Sequence, residues 1–275
     1  MNLSLHPTRF PVTLEKWYID TLLDDGSILL VYLGTLTLFR VRLARVTVEL
    51  FLPQGQVVRG SATARHIMGG EGILYFGPAT IVGDRLRFTT AGLSGDLVYH
   101  PRQPPCALRE PFLVAGDRTL HWVVEMPDAD VIGRLAWPGG SRTVTGRGYR
   151  DRVWFDIPPW RFPIRELIWG RAAAGAHAAT WVRATTGQGI IAASWLDGHV
   201  VATEDSSVPP SDVALGPGQV FLDADVAALE GLRLGALRGL LRRLSRDPHE
   251  TKWRAPCMIA GVEGIAVHEV ARWHV

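Results

Sequence analysis

A chain of 275 residues with 47% apolar and 20% charged side chains and a formal net charge of +2 has ample material for a full hydrophobic core. High apolar content with low net charge excludes intrinsic disorder, and no run approaches the roughly 18 consecutive apolar residues of a membrane span. Acids and bases nearly balance, so there is no global field to recruit nucleic acid and no such partner is expected. The opening residues, Met1-Asn2-Leu3-Ser4-Leu5-His6-Pro7, lack the basic and apolar regions of a signal peptide, which makes a cytoplasmic location the expectation. Two cysteines, Cys106 and Cys257, are too few for a disulfide framework or a zinc site. The 29 glycines, 18 prolines and 10 tryptophans combine frequent turns with large flat side chains. That mixture points to an all-β protein enclosing something apolar.

In chain order, residues 16–23 form a β-prone run and Asp24-Asp25-Gly26-Ser27 a turn rich in residues that tolerate positive φ. Residues 28–38 return as a nearly continuous apolar strand. Residues 42–52 alternate polar and apolar side chains, a half-buried strand ending at Pro53-Gln54-Gly55-Gln56. Short strands are expected at 73–76, 86–89 and 97–99, and a loop at 101–111, which holds four prolines. Further strands fall at 120–126, 130–137 and 142–154. A proline-dense break at 157–163 divides the chain into expected lobes 1–156 and 157–275. Beyond it come strands at 167–172, 178–185 and 190–196, then a closing pair near 257–270.

One helix is expected, at 226–246, where Leu229, Leu232, Leu237, Leu240 and Leu244 make a single stripe. Its other side carries Arg233, Arg238, Arg242, Arg243 and Arg246. The first reading is a packed helix with a solvated basic side, and the alternative is transient contact with a membrane surface.

The motif search is mostly negative. Gly146-Arg147-Gly148-Tyr149-Arg150-Asp151 ends in Asp rather than completing a dinucleotide fingerprint. There is no phosphate-cradling loop with lysine, no His-Glu-x-x-His and no nucleophile elbow, and the nine histidines are scattered. Neither a metal nor an organic cofactor is expected. One constellation stands out. On a strand, Tyr149 and Asp151 share a face about 7 Å apart, with Arg150, Arg152 and Trp154 on the other. A phenol and a carboxyl so placed can address one ligand, and burial would favour the protonated acid. The plainer alternative is an Asp151 salt-bridged to an arginine beside a core tyrosine.

Aromatic segments could supply walls for a hydrophobic small molecule. In Trp17-Tyr18-Ile19-Asp20, Trp17 and Ile19 face one way, Tyr18 and Asp20 the other. Trp122 stands opposite His121 by the same rule. Trp169 and Arg171 share a face, and a buried Arg171 needs a carboxylate, for which Asp151 and Asp20 are candidates.

Taken in series, these segments resemble the hydroxyneurosporene synthase (carotenoid 1,2-hydratase) family, which includes the lipocalin-like Diels–Alderases of natural-product pathways. The resemblance rests on Trp17-Tyr18-Ile19-Asp20 with Asp24-Asp25-Gly26, on Trp122, Pro127, Val131 and Gly133, on Gly146-x-Gly148-Tyr149-x-Asp151, and on Trp169-Gly170-Arg171. It implies two lipocalin-like β lobes with a ligand cavity, Asp151, Tyr149 and Trp122 as catalytic residues, and Trp17, Tyr18, Asp20, Trp169 and Arg171 as substrate contacts. The hydratases carry His-x-Trp before the Tyr-x-Asp pair. Here Leu120 occupies the first of those positions and the histidine is displaced to His121, which turns the imidazole to the opposite face. The residues after Tyr-x-Asp are also altered, to Arg152-Val153-Trp154. These departures count against hydration and leave a cofactor-free cyclase of a hydrophobic polyene as the leading expectation. An acid-catalysed hydratase and a passive carrier are the alternatives.

Overall fold

The structure, a computed structural model, describes residues 3–6, 10–39, 41–201, 208–225 and 248–273. Turn chemistry sets the first register. The Asp25 carboxylate accepts from the Ser27 N–H at 3.0 Å and from its hydroxyl at 3.2 Å, while Gly26 adopts a φ of 88° that glycine takes without strain. Strands β1 (Val12–Leu23) and β2 (Ile28–Leu38) therefore pair with Leu22 opposite Ile28 and Tyr18 opposite Tyr32.

The meander continues through β3 (Val41–Phe51) and β4 (Val57–Thr63). The short strands β5 (Ile67–Gly70), β6 (Ile73–Phe76), β7 (Ala79–Val82), β8 (Arg85–Thr90) and β9 (Leu93–Pro101) follow. After β10 (Cys106–Ala115), two long strands, β11 (Arg118–Trp137) and β12 (Gly140–Phe155), complete the sheet. Its order is β4-β3-β2-β1-β12-β11-β9-β8-β7-β6-β5, with β10 on β11. The sheet curls on itself, because Leu33 and Val46 near one end share a buried core with Phe76, Ile81 and Leu97 near the other. Trp17 reaches across that core to meet Phe76 edge-on at 6.4 Å.

A short 3-10 turn at Pro159–Arg161 leads to the second sheet. It contains β13 (Ile164–Ala174), β14 (His177–Thr186), β15 (Gly189–Leu196), β16 (His199–Val201), β17 (Val213–Leu215), β18 (Gln219–Asp225), β19 (Pro248–Ile259) and β20 (Val262–Trp273). The order is β16-β15-β14-β13-β20-β19-β17, with β18 on β19. Its core is built largely from alanines, Ala172, Ala174, Ala179 and Ala266, filled by Trp181 and Ile259. The fold is thus nearly all β, in two curled sheets of lipocalin-like form. The contacts group the chain into two units, Met1–Pro104 with Val123–Asp156, and Pro105–Trp122 with Ile157–Val275.

Two expectations change. The loop expected over 101–111 is in large part strand, since β9 runs to Pro101 and β10 starts at Cys106. Proline lacks the N–H a central strand must donate, but β10 lies off the main path of the sheet and, among the described strands, pairs β11 alone, an edge position that Pro111 can occupy. The strands expected at 120–126 and 130–137 are one strand running straight through Pro127. The helix expected at 226–246 lies outside the described residues, and so does the basic face read on it. No helix among the described residues is long and apolar enough to cross a membrane.

Candidate functional site

Strand pairing decides which side chains meet. β1 lies between β2 and β12, with Tyr18 opposite both Tyr32 and Asp151, and Asp20 opposite Tyr149. Directly paired residues project to the same side of a sheet, with Cβ atoms about 4.5–5.5 Å apart. Tyr18, Asp20, Tyr149 and Asp151 therefore form a two-by-two checkerboard of phenols and carboxyls on one face. All four are buried, with 3% or less of their surface exposed.

Within the checkerboard the Tyr149 hydroxyl donates to Asp151 Oδ2 at 3.0 Å. The ring of Tyr18 lies 6.2 Å from that of Tyr149 and 5.3 Å from that of Tyr32. Lys16, two residues before Tyr18 and on the same side, stands 5.6 Å from the Tyr32 ring centre. Buried Leu22, Leu30 and Val153 surround this group on the same face. The carboxylate can accept from an enol or amide of a ligand, and the neighbouring phenols can donate to a carbonyl. Gly148, directly before Tyr149 and facing the opposite side of the strand, is required by packing. A Cβ there would fall 2.5 Å from the Tyr99 ring and 2.6 Å from Val131.

That opposite face holds a second polar group. Trp17 belongs to it rather than to the checkerboard, and lies in the apolar core. Arg152 is sandwiched between Trp17 and Trp154, its guanidinium 4.8 and 4.9 Å from their ring centres. It donates to Glu15 at 2.8 Å and to the Ser4 carbonyl at 2.6 Å. Arg150 pairs with Glu125 at 3.0 Å. Burial raises the Glu125 carboxyl above its ordinary range, while the Arg150 and Arg152 charges pull it back down. Sequence reasoning put these arginines on the far face but missed both acids, which lie on other strands.

In the second unit, Trp169 and Arg171 share the face of β13 that looks away from the alanine core. Both are almost fully buried. A residue not singled out from sequence joins them. Lys252 is 1% exposed, stands 5.7 Å from the Trp169 ring centre, and pairs with Glu250 and Glu269. Arg171 itself lies opposite Thr180 on β14 and Val267 on β20. Trp122 also belongs to this unit, meeting Phe112 edge-on at 5.9 Å. The candidate residues thus fall into three places: Tyr18, Asp20, Tyr149 and Asp151 together, Trp17 behind them, and Trp122, Trp169 and Arg171 in the other unit.

Burial pushes the Cys106 thiol up to about 12 and the Cys257 thiol up to about 11, so neither is a ready nucleophile. No group of three or more His, Cys, Asp or Glu that could hold a metal occurs among the described residues.

No protein-family model matches this chain, and no curated protein sequence does. Solved structures match along almost its whole length. A protein from Nitrosomonas europaea described as an ATTH is 14% identical with a TM-score of 0.61, over 96% of this chain and 93% of that one. CghA with Sch210972 is 12% identical with a TM-score of 0.63, over 99% and 95%. Kievitone hydratase from Nectria haematococca is 10% identical with a TM-score of 0.56, over 94% and 88%. This chain has the fold of these proteins. At such identities the likeness concerns the fold alone.

Proposed function

We propose that the protein is a cofactor-independent cyclase that folds a hydrophobic polyene of a natural-product pathway into a reactive shape. The buried Tyr149–Asp151 hydrogen bond supports this reading most directly. A phenol already donating to the carboxylate makes Asp151 an acceptor, suited to fixing an enol or amide of the substrate rather than to protonating an alkene. Tyr18 supplies a second phenol that donates to a conjugated carbonyl and draws electron density from the attached double bond. In an intramolecular cycloaddition of that bond with a diene, two carbon–carbon σ bonds form, two π bonds are consumed, and no proton leaves or enters.

Positioning can contribute about 7–11 kcal/mol to such a reaction, and one donor aimed at the developing charge about 3 kcal/mol. The likeness in fold to a protein named as a hydratase keeps hydration as the competing reading.

Mass separates the two. Purified protein is incubated with linear polyenyl carbonyl compounds and the products are followed by liquid chromatography and mass spectrometry. A cyclase gives an isomer of unchanged mass with shortened conjugation. A product heavier by one water overturns the cyclase in favour of the hydratase, and binding without conversion leaves a carrier.

A further inference from the structure

A cleft of about 320 Å³ opens in the second unit, away from the faces described above, between the end of β10, the turn joining β14 to β15, and the ends of β13 and β20. That volume is at the small end of the roughly 300–1,000 Å³ range of ligand pockets. Phe162 and Trp273 form one wall, their rings 5.4 Å apart and tilted by 41°. Arg165 enters from the side, and among the described lining residues it is the only charged one.

The placement of Arg165 is a product of irregular pairing. β13 and β14 pair Ile164 with Thr186 and Glu166 with Thr185, so Arg165 is the extra residue of a β-bulge. A bulge breaks the alternation of a strand and re-aims the side chain it inserts. Here the guanidinium is carried over the β14–β15 turn, where a Cβ on Gly187 would lie 3.5 Å from Arg165 Nη2. The turn itself is pinned: the Gln188 N–H donates to Thr186 Oγ1 at 3.1 Å, and that hydroxyl donates to the Gly189 carbonyl at 2.9 Å. Among the described residues Arg165 has no ion pair, whereas its neighbour Glu166 pairs with Arg272.

We infer that this cleft is a second binding site, taking a small planar aromatic or conjugated carboxylate. The ring stacks on Phe162 and Trp273, and the carboxylate meets the planar fork of Arg165, which matches it in geometry and charge. A phosphate would satisfy the charge but leave the aromatic wall uncovered. A neutral ring would cover the wall and leave the cation without its partner. The inference does not depend on the reading of the Tyr149–Asp151 site.

The test is calorimetric titration of the full chain with 2-naphthoate and with its neutral counterpart 2-naphthamide. The expected result is saturable binding of the naphthoate at one site, with the amide about tenfold weaker. Arg165→Gln should weaken the naphthoate by about the same factor and leave the amide unchanged. Phe162→Ala should weaken both, and Tyr149→Phe should affect neither. No binding of naphthoate up to millimolar concentration overturns the inference. So does binding that ignores Arg165→Gln, or that is lost in Tyr149→Phe, which would place the ligand in the other site.

Discussion

Asp151 and Tyr149 are two residues apart on one strand, yet their substitutions should differ. Asp151→Asn keeps the shape of the side chain but replaces the carboxyl by an amide. For a cyclase the loss of turnover should be about ten- to a hundredfold, because positioning survives and a partial hydrogen bond remains. For a hydratase it should be nearly complete, since the proton comes from that carboxyl. Tyr149→Phe removes only the hydroxyl that donates to Asp151 at 3.0 Å. It should cost about 1 kcal/mol of stability in a thermal melt and lower turnover less than the aspartate change does. Trp122→Ala, by contrast, removes a buried ring that packs on Phe112 and should cost about 3–5 kcal/mol, so its turnover is read only on folded protein. If all three variants fold and turn over like the parent, the chemistry is elsewhere. That Tyr149 and Asp151 share a face was legible from their spacing alone. Their hydrogen bond was not, because it depends on rotamers that packing selects.

At the scale of elements, local turn chemistry carried the sequence reading far. Asp24-Asp25-Gly26-Ser27 determines a tight hairpin, and counting outward from Leu22 and Ile28 brings Tyr18 against Tyr32. Tyr32 was therefore within reach of the sequence but hidden inside an apolar run. Glu15, Glu125 and Lys252 were not within reach. Their significance comes from partners on other strands, Arg152 on β12 for Glu15, Arg150 on β12 for Glu125 and Glu269 on β20 for Lys252, and only strand pairing brings those together. β10 was missed because four prolines outweighed alternation, although an edge strand accommodates them.

Glu125 gives these hidden partners a measurable consequence. Burial raises its carboxyl above the ordinary 4.5, so the folded state holds that proton more tightly than the unfolded chain does. Its contribution to stability must then fall as pH rises from 4.5 through the higher folded value. Glu125→Gln keeps an acceptor for Arg150 and abolishes the titration. Melting temperatures of parent and variant, measured across that interval, should diverge in the variant's favour as pH rises. Divergence in the opposite direction would mean that the two arginines outweigh burial.

On the scale of the whole molecule, the chain does not divide at one point. The unit holding Ile157–Val275 also takes Pro105–Trp122, and β11 begins in that unit and ends in the other. A polypeptide cut after residue 156 would retain β10 but lose β15, the strand against which β10 packs. Leu108, Phe112, Leu113, Leu120 and Trp122 are each no more than 7% exposed in the intact chain, and all five belong to that second unit. At about 2 kcal/mol for each large apolar side chain, roughly 10 kcal/mol of burial is at stake, comparable to the entire stability of a domain. Residues 1–156 expressed alone should therefore bind a hydrophobic dye such as anilinonaphthalene sulfonate, or associate, as seen by sedimentation velocity. Deleting 105–122 from that fragment, with a short glycine–serine joint between Pro104 and Val123, should restore monomeric behaviour. If the uninterrupted fragment is instead monomeric, dye-silent and as stable as the full chain, the segment 105–122 is not an integral part of the second unit, and the lobes are separable where the proline-dense break first indicated.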